Sequence, residues 1–268
     1  MQKIFNNILL PVRLNRHTHK AMEEGIELAN RLECNLHILY TFHQSKIAHL
    51  FQMFRGINKV AEKKQQLRTL QGEYAAQMKN GLLLSAVFKK GDAIKAVTDY
   101  ILSHEVDMVY IGNHQRTTQV KSSSFRLAVL KGQPNCTVLV FKSGKVLQKL
   151  QKIIIPVTGS FPANSIRVAI YLGLQFNGTI HLVGNSTREL SSFDYLSKAY
   201  RFVKDNTVLP VICKTITDNN LVHAVQKYAG SLEGGIIIAG NSSKLSTANE
   251  NILDNFFTDA KVPVMLVG

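Results

Sequence analysis

The chain states one pattern twice, and a duplication restricts a fold more than any single motif does. The segment Asn7–Val12 returns as Lys152–Val157, and Asn35–Leu39 returns as Thr179–Val183. Val109–Asn113 returns as Ile237–Asn241, and Thr137–Val140 as Pro263–Leu266. Four strand-like segments recur in the same order, which marks a tandem repeat of one domain. The copies fall at residues 1–145 and 150–268, each long enough to bury its own core. Lys142–Gln151, short, basic and glycine-containing, reads as the boundary.

Within the first copy, the apolar run Ile8–Val12 predicts a buried strand. Helical spacing of Ala21, Met22, Gly25, Ile26, Ala29 and Leu32 predicts a helix from His17 to Leu32. Leu36–Phe42 reads as a second strand, and 45–79 as one or two polar helices broken near Gly56. Leu83–Phe88 follows as a strand, and Gly91-Asp92 opens a helix to Ser103 with Asp92 as its cap. Met108–Ile111 is the fourth strand. A polar loop and a helix at Phe125–Lys131 lead to the fifth, Thr137–Phe141. The second copy repeats the series, with strands at Ile153–Pro156, Thr179–Val183, Val208–Lys214, Ile236–Ala239 and Val262–Val267. Its helices are expected at Asn164–Phe176, Ser192–Lys204, Leu221–Ala229 and Ile252–Phe257. Apolar strands separated by helices indicate an α/β fold with parallel sheets covered on both faces. Right-handed crossovers then favour a five-stranded sheet of order 3-2-1-4-5 in each copy.

The net charge of +14 is unevenly placed. Residues 1–146 hold 21 Lys+Arg against 10 Asp+Glu, and residues 147–268 hold 11 against 8. Lys59, Lys63, Lys64 and Arg68 concentrate the excess on one helical stretch. The plainer reading is a solvated helix face; the sharper one is a surface for an anionic partner such as nucleic acid, phospholipid or acidic protein. In the sequence itself no aromatic residues interleave with this cluster. Cys34, Cys136 and Cys213 show no paired metal spacing and read as buried free thiols of a reducing compartment. No run approaches a membrane span, and with the first strand only a few residues in, no signal peptide is expected. The expected location is the cytoplasm.

In an open parallel sheet, ligands bind beyond the carboxyl ends of the strands where the winding reverses. The turn after the first strand and the loop after the fourth would line that crevice. In the first copy the candidates are Arg13, Gly112, Asn113, His114, Ser123 and Ser124. In the second they are Thr158, Gly159, Ser160, Gly240, Asn241 and Ser243. A first strand ending in Pro11-Val12 or Pro156-Val157, a fourth ending in Ile111-Gly112-Asn113-His114, and a last strand such as Val262–Val267 together resemble the universal stress protein family. The resemblance spans both copies and implies Rossmann-like, adenine nucleotide α-hydrolase-like domains. Such proteins commonly pair through their fifth strands, so the resemblance also implies pairing of the two copies inside this chain, with homo-oligomers a further expectation.

The nucleotide-binding pattern of that family has an Asp two residues after the first-strand proline. It also has a G-x2-G-x9-G-[S/T] loop that cradles phosphate. Here the Asp position is Arg13 in one copy and Thr158 in the other. Gly112 and Gly240 match the first glycine, but Gln115 and Ser243 replace the second. The third lies among Ser123, Ser124 and Phe125 in the first copy, and Glu250 stands near it in the second. Losing these glycines removes close backbone approach to a phosphate. Ser122, Arg116 and Lys121 remain as hydroxyl and charge near the first loop.

Nine histidines are present, and His37 and His181 recur at one place in the second strand of each copy. They read as strand residues kept by packing or a hydrogen bond; no cysteine or carboxylate joins them in a zinc spacing. No Ser-His-Asp, Cys-His or paired-carboxylate arrangement stands out. The expected function is therefore that of a non-enzymatic stress-response protein, acting through protein association or an unidentified small ligand, with no cofactor. The alternatives are an ATP- or AMP-binding sensor using a degenerate phosphate loop, and a nucleotide-dependent enzyme of the wider fold group.

Overall fold

The computed structural model describes residues 2–42, 59–112, 135–141, 150–157, 160–185, 190–218, 221–232, 235–240 and 262–268. The chain forms two compact units, one of residues 5–136 and one of residues 137–268 joined by the first four residues.

In the first unit, β1 (Asn7–Val12), β2 (Asn35–Phe42), β3 (Leu84–Lys90) and β4 (Met108–Ile111) form a parallel sheet ordered β3-β2-β1-β4. Every residue of β4, and all of β1 after Asn7, is buried, as apolar strands covered on both faces require. Helices α1 (Thr18–Leu32) and α2 (Lys59–Ala75) cover the face that carries Leu10, Leu36 and Phe88. Helix α3 (Ala93–Ser103) covers the other, where Tyr100 reaches His37. The expected cap forms: the Asp92 side chain accepts the Lys95 amide at 2.9 Å. Gly91, at φ +117°, supplies the turn before it that a side chain would strain.

The second unit contains β5 (Thr137–Val140), β6 (Lys152–Val157), β7 (Thr179–Asn185), β8 (Val211–Ile216), β9 (Ile236–Gly240) and β10 (Val264–Val267). Their order is β5-β10-β9-β6-β7-β8, so β6 to β10 realise the expected 3-2-1-4-5 arrangement. Helices α4 (Ala163–Phe176) and α5 (Leu190–Asn206) lie on one face, and α6 (Leu221–Ser231) on the other. All these strand pairs are parallel except β5 with β10, which run antiparallel with Val140 opposite Val264 and Val138 opposite Leu266. That ladder groups Thr137–Val140 with the second compact unit, although in sequence it closes the first copy.

The strand expected at Val208–Lys214 runs from Val211 to Ile216, because Pro210 has no amide for the ladder and Val208 stands 95% exposed before it. Cys34 and Cys136 are buried, but Cys213 is exposed, since it sits on the edge strand β8. The helices expected near 45–58, 125–131 and 252–257 lie outside the described residues.

Candidate functional site

The crevice is set by where the first and fourth strands of each copy part company. β1 pairs with β4 only at Ile8–Met108 and Leu9–Val109, while its pairing with β2 continues to Val12. β6 pairs with β9 only at Ile153–Ile236 and Ile154–Ile237, while its pairing with β7 continues to Val157. Both partings come two residues before a proline, Pro11 or Pro156, whose missing amide cannot extend that ladder. Each copy therefore opens at the switch point, and Arg13, Gly112 and Gly240 stand at its rim.

In the first copy the turn into α1 is closed by its own hydrogen bonds. Thr18 is 3% exposed, and its hydroxyl accepts the Asn15 amide at 2.9 Å and shares its one proton between the Arg13 and Asn15 carbonyls. The Asn15 Oδ1 accepts the His17 amide at 2.9 Å, and the Thr18 amide returns to the Asn15 carbonyl at 3.0 Å. Three amides that could otherwise face an anion are thus spent inside the turn. Arg13 is half-buried and Gly112 buried beside this turn's strand ends. Next to it, a cavity of about 340 Å³ runs between the start of α1 and α2. Asn15, Thr18 and His19 line one side, and Gln65, Gln66, Thr69 and Glu73 the other. It holds no Lys or Arg and one carboxylate, a lining for neutral polar groups and not for phosphate.

The second copy's crevice differs in one respect. Pro162 precedes α4 and gives no side-chain cap, and the Ala163 amide bonds the Phe161 carbonyl at 3.0 Å. Ser165, the third residue of α4, is 1% exposed, and its hydroxyl has no hydrogen-bond partner. It lies under Gly240: a Cβ built on that glycine would meet the Ser165 Oγ at 3.3 Å. A buried hydroxyl left unpaired costs about 1–3 kcal/mol, and among the described residues Ser165 Oγ is the buried side-chain polar atom without a partner in the protein. Ser160 is exposed at the same turn. Sequence reasoning passed over Thr18 and Ser165, although each is a hydroxyl residue at the start of the helix that follows a Pro-Val strand end.

Asn113, His114, Ser123, Ser124, Thr158, Gly159, Asn241 and Ser243 lie outside the described residues. Among the described residues no group of three or more His, Cys, Asp or Glu is arranged to hold a metal.

The repeated histidines are not part of either crevice. His37 Nδ1 lies 2.9 Å from the Tyr100 hydroxyl, and His181 Nδ1 lies 2.8 Å from that of Tyr228. Both pairs sit on the face covered by α3 or α6, with rings 5.8 Å apart and edge-on at 62° and 61° between planes. Burial lowers the pKa of each imidazole, with His104 adding to the effect on His37 and Lys152 to that on His181. They pin a helix to the sheet, as the hydrogen-bond reading expected.

The comparisons bear on this geometry. The fold is shared over the whole chain with a universal stress protein from Archaeoglobus fulgidus, at 16% identity and a TM-score of 0.68, covering 98% of this chain and 96% of that one. A functionally unknown protein from Pseudomonas aeruginosa PAO1 is similar at 13% identity and a TM-score of 0.66, covering 99% and 93%. The cytoplasmic domain of a prokaryotic cation chloride cotransporter is similar at 9% identity and a TM-score of 0.55, covering 98% and 95%. At such identities the likeness establishes the fold alone. No curated protein matches the chain. A sequence model of the universal stress protein family matches residues 5–142, more than half of the 268. The parallel 3-2-1-4-5 sheet and the family match agree: this chain belongs to the universal stress protein family.

Proposed function

We propose that the protein is a cytoplasmic, non-enzymatic stress-response protein that works by association with another molecule and has given up family-type ATP binding. The observation that carries this reading is Arg13. A guanidinium has donors only and cannot accept from adenosine hydroxyls as a carboxylate does. The self-satisfied turn at Asn15–Thr18 and the cation-free cavity beside it support the same conclusion. The antiparallel ladder between Thr137–Val140 and Val264–Val267 supports pairing of the two sequence copies through their last strands. Among the described residues no helix is long and apolar enough to cross a membrane.

One observation favours a second reading, a ligand held in the second copy alone. The orphan Ser165 hydroxyl beneath Gly240 would find its partner in a bound polar group, as in an ATP- or AMP-sensing protein with a degenerate loop. Mass spectrometry of small molecules released from the purified, denatured protein separates the two. Absence of adenine nucleotides supports the first reading; stoichiometric ATP or AMP overturns it in favour of the second.

A further inference from the structure

We propose that the basic helix α2 and the aromatic ends of β2 and β3 form a binding surface for single-stranded nucleic acid. Between residues 59 and 90 the chain carries seven Lys or Arg and two Asp or Glu. The sequence places no aromatic residue among the four cations of α2, but folding does. Tyr40 lies opposite Phe88 and Phe42 opposite Lys90 in the β2–β3 register. The Tyr40 and Phe88 rings are 5.7 Å apart, and Phe42 stacks on Phe88 at 6.1 Å with 27° between planes. The Lys64 ammonium reaches down from α2 to 5.5 Å from the Phe88 ring centre.

These three rings share a sheet face with Leu36 and Ile38, which are fully buried, yet the rings themselves are only half-buried. The core therefore does not consume them. Lys90, exposed and opposite Phe42 in the register, extends the ring face, whereas the exposed Lys89 between Phe88 and Lys90 points to the other face. Among the described residues, none of Lys59, Lys63, Lys64, Arg68, Lys89 or Lys90 is in an ion pair. Glu62, the acid closest in sequence to the α2 cations, is hydrogen-bonded by Gln66 at 3.0 Å. A row of unpaired cations beside a small aromatic platform is the combination that holds unstacked bases and their phosphates, with little sequence preference. A duplex hides its base faces, so the platform suits single strands. Half-buried rings on a sheet face that α2 partly covers, with Lys64 over Phe88, do not project the roughly 5–10 Å that insertion below lipid headgroups takes.

The test uses the full-length protein and a fluorescently labelled dT12 oligonucleotide, read by anisotropy between 50 and 200 mM salt. Binding is expected with a dissociation constant of about 1–100 µM, weakening with salt. The surface variant K64Q/K90Q is expected to lose at least fivefold in affinity and to flatten the log–log salt slope by about 1.4, near 0.7 per lost phosphate contact. F42L/F88L is expected to weaken binding severalfold with the slope unchanged, because stacking releases no counterions. Thermal melts of each variant establish that it folds, and the lysine variant, being exposed, keeps the test valid if the aromatic one does not. Absence of dT12 binding, equal affinity for a duplex of the same length, or dT12 binding indifferent to the lysine changes would overturn the proposal. So would binding to phosphatidylserine vesicles without binding to dT12.

Discussion

His181 is 4% exposed, with its Nδ1 at 2.8 Å from the Tyr228 hydroxyl and the Lys152 ammonium contributing a repulsive charge. Burial, then Lys152, lowers its pKa below the ordinary 6.5, so the folded protein resists the proton that the unfolded chain accepts freely. The stability tied to a neutral His181 is fully present above pH 6.5 and is lost as pH falls from there through the lower folded value. Chemical denaturation across pH 7.5 to 5 should therefore show a stability loss that H181Q, which takes no proton, reduces. An unchanged pH profile in H181Q would contradict the assignment. His37 carries the same pairing but sits half-buried among Tyr100, Ser85 and His104, so its share of the pH response is blended with theirs. Both histidines stood out in the sequence because they recur; their tyrosine partners recur too, at Tyr100 and Tyr228, but contact across 63 and 47 residues is invisible to local pattern.

At the scale of elements, local chemistry that the sequence states openly is what the structure repeats. The Gly91-Asp92 start of α3 is one case, and D92A should cost about 1 kcal/mol, the usual worth of a lost N-cap, measured as a lowered denaturant midpoint with unchanged slope. Buried strands such as β1, β4 and β6 were legible because they are continuous apolar runs between helical patterns. β8 was not, because an edge strand buries little: its interior residues Ile212–Thr215 are all exposed, and apolar Val208–Leu209 upstream imitates a strand that Pro210 interrupts. The crevice was legible only in outline. The switch-point rule and the family resemblance pointed to Arg13, Gly112 and Gly240, which follow the strand ends where β1 and β4, or β6 and β9, separate. It could not show that Thr18 closes the first turn on itself while Ser165, at the start of the corresponding helix, is left without a partner. That contrast depends on backbone geometry within one turn. The aromatic platform escaped for a similar reason: Phe88 is far in sequence from Tyr40 and Phe42 and meets them only through the β2–β3 register.

For the whole molecule, a duplicated fold offers two crevices, and the account holds that neither is an ATP site of the family type. Each copy retains the opening at its switch point, since the prolines that end the inner ladders are present in both. On the proposed reading the chemistry around it differs from the family's nucleotide pattern: a donor-only Arg13 and a hydroxyl Thr158 occupy the positions where that pattern has a carboxylate. Calorimetric titration of ATP into the full-length protein at physiological salt tests this directly. The account predicts no saturable heat at micromolar ATP, with T158D recovering affinity in the second copy, where Gly159 and Ser160 already follow. Micromolar ATP binding by the unmodified protein would contradict it.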